Sequence, residues 1–239
     1  MLDRLVTLFY WLNVRTWVTV VMLWAVRIRV KGLDNLPKDG PVILVSNHFS
    51  LGDPPILTYV LPRRIVWMAK QELFDTPVIG WLFRMFGLIP VRRFEGDLKA
   101  LRKAQNALRR GRVLGMFPEG TRSAGAGLQE AEPGTAFMAL RTGAPIIPSA
   151  IWGTENIKLP RDALRFQGTR IHVRFGEPFS FEQTNRASKA QIVSSTHEIM
   201  EKIAELLPER YRGVYGSHGE GAAAAKASST KVAAAKKEG

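Results

Sequence analysis

The sequence contains no cysteine, few acidic residues and no long uninterrupted apolar run. Its 239 residues include 34 lysines and arginines but only 21 aspartates and glutamates, so the formal net charge is +13. The absence of cysteine excludes a cysteine nucleophile and fits a reducing, cytoplasmic compartment. The excess of positive charge indicates an anionic partner. No zinc-binding spacing, RNA-binding aromatic signature or recognition helix stands out, so we expect neither a metal nor nucleic acid to be bound.

The longest clean apolar stretch is too short to cross a bilayer. Asn13 and Arg15 interrupt the apolar region Leu5–Val26, and the remaining run Thr16–Val26 has only eleven residues. A spanning helix needs roughly 20. We predict an apolar helix or helix pair in the cytoplasmic leaflet, with a single tilted span or a buried core helix as alternatives. Residues suited to the head-group boundary lie within or just after it: Trp11, Trp17, Trp24, Arg27, Arg29 and Lys31.

A histidine and an aspartate five residues apart follow a predicted buried strand. The run Pro41–Ser46 is short, apolar and rich in β-branched residues, which is typical of such a strand. His48 then leaves the strand end, and Gly52–Pro55 opens a helix in which Asp53 is a candidate cap. Strand ends that face helix starts are where open α/β sheets place their ligands. The pattern predicts a general base, His48, oriented by the carboxylate of Asp53, although a capping role alone would also fit.

A second segment, Phe117–Ser123, has the residues expected of a phosphate-binding turn. It follows the strand-like run Arg112–Phe117. Glycine at position 120 lets the backbone approach an anion, and Thr121 can donate a hydrogen bond. Arg122 can hold a phosphate through two parallel, charge-assisted hydrogen bonds. The alternative is a surface turn in which Glu119 pairs with Arg122.

Together, in this order, the two segments resemble those of the glycerolipid acyltransferase family, which acylates glycerol phosphate and lysophosphatidic acid. The resemblance covers roughly residues 30–180 and extends to the block Gly87–Arg93 and the strand Ala144–Pro148. It implies that His48 and Asp53 are catalytic. It also implies a set of residues that bind the acceptor, lysophosphatidate: Arg93, Glu119, Gly120, Thr121 and Arg122. Arg92 and Pro90 depart from the family pattern, which usually has an acid and an aromatic residue there.

The chemistry of acyl transfer explains why a base and its orienting acid suffice. A hydroxyl that attacks a thioester must lose its proton, and a neutral imidazole typically accelerates such a step by ~10²–10⁴-fold. The acceptor hydroxyl takes the place of a protein nucleophile, and a thiolate leaves readily. Ser46 and Ser50 flank the histidine and leave a serine acyl-enzyme formally open, but neither occupies a nucleophile elbow. We predict no cofactor; acyl-CoA or acyl-acyl-carrier protein would be the second substrate.

We predict an α/β fold, a mixed sheet flanked by helices, preceded by the membrane-associated apolar helix or helix pair. The expected units are a membrane-interface segment at 1–31, an acyltransferase catalytic domain at 32–215 and a disordered Ala/Lys-rich tail at 216–239. Helices are predicted for Thr76–Phe86, Asp97–Arg110 and Ala187–Leu206.

The resulting hypothesis is a 1-acyl-sn-glycerol-3-phosphate acyltransferase, peripheral or monotopic at the cytoplasmic face of the cell membrane. Its partners would be the phospholipid surface, lysophosphatidate and the acyl donor. Three alternatives remain open: an acyltransferase for another lysophospholipid, glycerol 3-phosphate or a glycolipid; a thioester hydrolase; and a non-catalytic protein that binds anionic membranes.

Overall fold

The described part of the chain is built on one seven-stranded sheet. The computed structural model describes residues 26–92, 97–123, 127–157 and 169–216. The strand order is β1-β7-β6-β2-β5-β3-β4. Neighbouring strands are parallel except for β6 and β7, which are antiparallel. The predicted mixed sheet is thereby confirmed. The strands are β1 Val26–Lys31, β2 Val42–Ser46, β3 Ile65–Lys70, β4 Ile89–Val91, β5 Val113–Met116, β6 Ile146–Trp152 and β7 Thr169–Phe175.

Helices cover both faces of the sheet, because the central strands are apolar on both sides. In β2, Ile43 and Val45 face one buried cluster while Val42 and Leu44 face the other. Three helices, α3, α4 and α5, supply the first cluster, and α1 supplies the second. The described α-helices are α1 Asp53–Val60, α2 Pro77–Met85, α3 Leu98–Arg109, α4 Gly134–Thr142 and α5 Lys189–Leu206.

The three helices predicted from the sequence are confirmed as α2, α3 and α5. In α3, the side chain of Asp97 accepts hydrogen bonds from the backbone N–H groups of Lys99 and Ala100, so Asp97 is the N-cap. Gly111 follows the helix with φ of 66°, a left-handed conformation that glycine adopts without strain. In α5, Ser188 and Gln191 form a capping box.

The first described strand corrects one predicted boundary. Residues 26–31, assigned from the sequence to the membrane-interface segment, form β1 and pair in parallel with β7. The apolar and basic residues alternate with a period of two, as they do in a half-exposed strand. The predicted apolar helix before residue 26 and the tail beyond Gly216 lie outside the described residues. Among the helices that are described, none is long and apolar enough to cross a membrane.

Candidate active site

The predicted base and its acid are in contact at the carboxyl end of β2. His48 lies two residues beyond the strand, and Asp53 is the first residue of α1. Nδ1 of His48 is 2.9 Å from Oδ2 of Asp53. Nε2 of His48 makes no hydrogen bond with any described residue, and the side chain keeps 14% of its surface exposed. The histidine is therefore held by one ring nitrogen, while the other can act on a ligand.

Asp53 does not cap its own helix, so the alternative of a purely capping role is wrong. Gly52 occupies the N-cap position and α1 has no side-chain cap. The carboxylate is completely buried, and Oδ2 also accepts the N–H groups of Phe49 and Ser50, each at 2.7 Å. The hydroxyl of Thr154 donates to Oδ1 at 2.6 Å. These donors make Asp53 a fixed acceptor for the histidine.

The Phe117–Ser123 loop is fastened to the histidine by two backbone groups. The N–H of His48 donates to Oε1 of Glu119 at 2.9 Å, and the N–H of Ser123 donates to the carbonyl of His48 at 3.0 Å. This approach follows from the sheet order, because β5 lies next to β2 and both strands end at the same edge. The general base and the predicted phosphate-binding turn therefore belong to one site.

Stacked rings fix the plane of the imidazole. The ring of Phe117 stacks on that of His48, with centroids 4.2 Å apart, and it also stacks on the indole of Trp67, with centroids 4.8 Å apart. The indole N–H of Trp67 donates to the hydroxyl of Thr58. A side chain at Gly115 would collide with this indole, since a Cβ there would lie 2.4 Å from a ring carbon of Trp67. The glycine thus leaves room for the stack.

Glu119 is a buried carboxyl group that fastens the loop rather than an exposed partner of Arg122. Its second oxygen accepts the N–H of Gln129 at 3.0 Å. Burial raises the pKa of Glu119 to about 7, although the N–H groups of His48 and Gln129 act in the opposite direction. Arg122 is exposed, and it forms no ion pair within the part of the chain that the structure describes. The alternative of a surface pair between Glu119 and Arg122 is therefore wrong for the described residues.

A model of the acyltransferase family matches residues 27–152, more than half of the chain, including His48, Asp53 and the Phe117–Ser123 loop. The chain belongs to the acyltransferase family. Similar proteins include the 1-acyl-sn-glycerol-3-phosphate acyltransferase of Borreliella burgdorferi, 35% identical over 140 residues. The match covers 57% of this chain and 56% of that protein.

Two further relatives show the same likeness. The chloroplastic 1-acyl-sn-glycerol-3-phosphate acyltransferase LPAT1 of Arabidopsis thaliana is 31% identical over 153 residues, covering 62% of this chain and 42% of that protein. The match thus spans about half the length of these curated relatives. The crystal structure of the 1-acyl-sn-glycerophosphate acyltransferase PlsC from Thermotoga maritima is 25% identical with a TM-score of 0.63. The match covers 83% of this chain and 79% of the Thermotoga maritima chain.

The remaining predicted residues of this family member lie around the same loop, with one exception. Gly120 has φ of 66°, so the turn requires glycine, while Thr121 and Arg122 are exposed beside it. Arg93 lies outside the described residues, and its predicted contact with phosphate stays a prediction. Lys70, at the end of β3, pairs with Glu72 at 2.8 Å on the surface.

Two residues of the site were missed by the sequence analysis. Thr154, which donates to Asp53, follows β6, the other neighbour of β2. The amide of Asn47 bonds both the carbonyl and the N–H of Ile151, at 2.7 and 2.8 Å, and so ties the end of β2 to β6. Thr154 and Ile151 each lie more than 100 residues from the histidine loop in the sequence, and only the strand order reveals that they are close to it.

Burial weakens the alternative of a serine acyl-enzyme. Ser46 is completely buried within β2, so its hydroxyl cannot reach a substrate. Ser50 uses its hydroxyl oxygen to accept the N–H of Gly52 at 3.3 Å. Around His48 the described residues thus offer a base and an orienting acid.

Folding stability should reveal the buried carboxyl group of Glu119. Its pKa rises from 4.5 to about 7 on folding, so its contribution to stability is complete below pH 4.5 and is lost as the pH rises through 7. This difference corresponds to on the order of 3 kcal/mol. Relative to Glu119→Gln, the unfolding free energy of the wild type should fall by that amount across this range, as measured by urea denaturation. Glu198→Gln, exposed on α5, controls for the loss of one acidic side chain. A difference that does not change with pH would contradict this prediction.

Proposed function

We propose that this protein is a 1-acyl-sn-glycerol-3-phosphate acyltransferase. It transfers a fatty acyl group from an acyl thioester to the sn-2 hydroxyl of lysophosphatidate and forms phosphatidate. The observation that carries the proposal is the 2.9 Å contact between His48 and Asp53, with the Glu-Gly-Thr-Arg loop fastened beside it. Membership of the family and the likeness to curated lysophosphatidate acyltransferases support it.

His48 moves the proton in the proposed reaction. Nδ1 donates to Asp53, which leaves the lone pair of Nε2 to accept the proton of the sn-2 hydroxyl. The hydroxyl oxygen attacks the thioester carbonyl carbon, and the tetrahedral intermediate then collapses as the C–S bond breaks. The departing thiolate takes the proton from the imidazolium, so His48 returns to its starting state. Asp53 stabilises the imidazolium throughout.

The loop after β5 is suited to bind the acceptor phosphate. Arg122 is exposed and unpaired among the described side chains, and the turn at Gly120 brings backbone close to a bound anion. Thr121 can add a hydroxyl donor, and we assign a second phosphate contact to Arg93. Because Glu119 bonds the N–H of His48, it fixes the distance between the phosphate site and the base.

We further propose that the protein works at the cytoplasmic face of the cell membrane as a peripheral or monotopic enzyme. The segment before residue 26 would lie as an apolar helix or helix pair in the leaflet. Acyl-CoA or an acyl-acyl-carrier protein would deliver the acyl group, without a cofactor. The net charge of +13 suits anionic lipids, the phosphorylated acceptor and either donor.

The first test is release of free thiol from palmitoyl-CoA by detergent-solubilised protein, with and without lysophosphatidate. Acceptor-dependent release, matched by formation of phosphatidate, is the expected result. Release without acceptor would identify a thioester hydrolase instead. A panel with glycerol 3-phosphate, other lysophospholipids and a glycolipid would show another acceptor if that one alone were acylated. Absence of transfer with every donor and acceptor would contradict the proposal and favour a membrane-binding protein.

Arg122→Ala should weaken acceptor binding more than catalysis. Loss of a charge-assisted contact to phosphate costs about 1.5–3 kcal/mol, so the acceptor KM should rise about 10- to 100-fold while kcat changes much less. Steady-state kinetics with varied lysophosphatidate measure both. Arg102→Ala, which removes another exposed arginine, from α3, is the matched control and should leave KM unchanged. An unchanged KM in Arg122→Ala would remove Arg122 from the phosphate site.

A further inference from the structure

An unusual share of the exposed apolar surface lies on one small region after β3. Among the described residues, nine large apolar side chains are exposed, and six of them fall between residues 51 and 82. Five of the six form what we call the α2 surface: Leu73, Val78, Ile79, Trp81 and Leu82. Val78 keeps 69% and Trp81 54% of its surface exposed. Exposed apolar side chains that cluster in this way indicate a binding surface.

The α2 surface is presented by an ordered platform. Helix α2 packs through Gly80, its one buried residue, against the backbone of Phe74 in the short 3-10 helix Gln71–Asp75. The ring of Phe83 meets that of Phe74 edge to face, and Arg84 donates to the carbonyl of Phe74 at 2.7 Å. The residues of α2 that contact the 3-10 helix therefore face inward, and the exposed apolar side chains of α2 face solvent.

Strand directions place the α2 surface at the same edge of the sheet as the candidate active site. The 3-10 helix follows the carboxyl end of β3, and His48 follows that of β2; both strands run parallel to β5. The sixth exposed residue, Leu51, lies in the histidine loop itself. At the far end of the sheet β1 runs in the opposite direction, so its first residue, Val26, also lies at this edge.

The candidate active site therefore shares one edge of the sheet with the α2 surface and with the start of β1. On the β1 side, the sequence before Val26 is the apolar, tryptophan-containing segment. Arg27 and Arg170, directly opposite each other on β1 and β7, place two exposed cations at this edge. On the β3 side lies the α2 surface, whose Trp81 suits a boundary between hydrocarbon and head groups. A plane across this edge would meet the apolar α2 surface on the β3 side and the positive charge of Arg27 and Arg170 on the β1 side.

We propose that the α2 surface inserts into an anionic phospholipid bilayer, as a membrane contact separate from the segment before residue 26. It holds the carboxyl edge of the sheet against the lipid, so that an amphiphilic substrate can pass from the bilayer to His48 without crossing water. The inference goes beyond the proposed acyl transfer, because membrane binding through α2 does not depend on which reaction follows.

The test compares two double variants of the full chain, Val78→Ser/Trp81→Ser and the matched control Leu98→Ser/Val193→Ser. The control removes two equally exposed apolar side chains from α3 and α5. Partition onto vesicles of phosphatidylcholine with phosphatidylglycerol is measured by co-sedimentation at low and high salt. We expect the α2 variant to bind at least about tenfold more weakly at both salt concentrations, because the lost contact is apolar. The control should bind like the wild type. Equal binding by all three proteins would overturn the proposal.

Two further measurements identify what covers the α2 surface. Brominated phospholipids should quench the wild type more than Trp81→Phe; an equal loss of fluorescence would mean that Trp81 does not meet lipid and would overturn the proposal. Light scattering after gel filtration tests for a second copy. If the wild type were a dimer and Val78→Ser/Trp81→Ser a monomer, the surface would be a subunit interface and the proposal would fail.

Acyl-transfer assays separate this inference from the proposed function. The wild type and Val78→Ser/Trp81→Ser should acylate a dispersed short-chain lysophosphatidate equally, and differ only when the acceptor is embedded in vesicles. Equal loss with both forms of the acceptor would show a damaged active site and would contradict the inference. If neither protein transfers an acyl group while the difference in vesicle binding persists, the proposed function fails and the membrane contact stands.

Discussion

Replacing His48 with alanine should reduce acyl transfer by about 10²–10⁴-fold, because it removes the group that accepts the proton of the acceptor hydroxyl. The side chain is partly exposed and its ring nitrogen Nε2 is unbonded among the described residues, so the loss should appear mainly in kcat. Acceptor-dependent thiol release, measured over a range of lysophosphatidate concentrations, gives kcat and KM separately.

His197→Ala is the matched control for this experiment. His197 lies exposed on α5 and, like His48, contacts a carboxylate, since its Nε2 is 3.2 Å from Glu201. It is far along the chain from the histidine loop, and its removal should leave transfer unchanged. Near-normal kcat in His48→Ala would refute the assignment of His48 as the base. A rise in KM alone would reassign it to acceptor binding.

Asp53→Asn should lower kcat by roughly 10³–10⁴-fold, comparable to loss of the orienting acid in serine proteases. Because of the hydrogen bonds around Asp53, this substitution removes the charge of the side chain but preserves its position. Two backbone N–H groups and His48 all donate to Oδ2, so the amide oxygen of asparagine must take that position. Its amide nitrogen then faces the hydroxyl of Thr154, which can turn and accept a hydrogen bond. His48 keeps its orientation but loses the negative charge that stabilises its protonated form.

The same substitution should also lower stability, by about 1–3 kcal/mol, because the hydrogen bonds at Oδ2 lose their charge assistance. Asp97→Asn provides the control, since Asp97 caps α3 away from the histidine and its substitution should affect stability without reducing kcat. Chemical denaturation and kinetics on both variants distinguish the effects. If Asp53→Asn lost stability but kept kcat, Asp53 would be a structural residue only.

The contact between His48 and Asp53 could be predicted from the sequence because the information is local. A short apolar strand followed by a histidine, and a Gly-Asp-Pro-Pro helix start five residues later, restrict both side chains to one strand end. The turn at Gly120 was predictable for the same reason. Its contact with the histidine loop was inferred only through the resemblance to a family, since proximity of β2 and β5 is a property of the sheet order.

The role of Thr154 could not be predicted, because it depends on the position of β6 next to β2. It lies 101 residues from Asp53, and nothing in the sequence between them indicates which strand returns to that side of the sheet. Glu119 was assigned to the acceptor pocket by resemblance, and that role stays a prediction; the contacts of its carboxyl group with backbone N–H groups were not predicted. Sequence patterns indicate residue types, but only tertiary structure decides whether a carboxyl group faces a ligand or a backbone.

The start of β1 shows a different limit of prediction from sequence. Its alternation of apolar and basic residues was visible, but the cations were also those expected after an apolar membrane segment. Whether these residues form a strand depends on pairing with β7, more than 140 residues away, and this pairing leaves no local signal in the sequence. The exposed face of α2 was ambiguous for a related reason: an apolar helix is equally compatible with burial in a core and with contact to lipid.

The pairing of β1 with β7 also has a consequence for the order of events during synthesis. Val26 finds its partner, Thr169, only after most of the chain has been made. At translation rates of about 5–20 residues per second, the delay is roughly 7–30 s. The apolar residues before Val26 leave the ribosome during this interval, while β1 cannot yet join the sheet. In the proposed location at the membrane, targeting could therefore precede completion of the domain, and the last step of folding would close the sheet beside lipid rather than in bulk water.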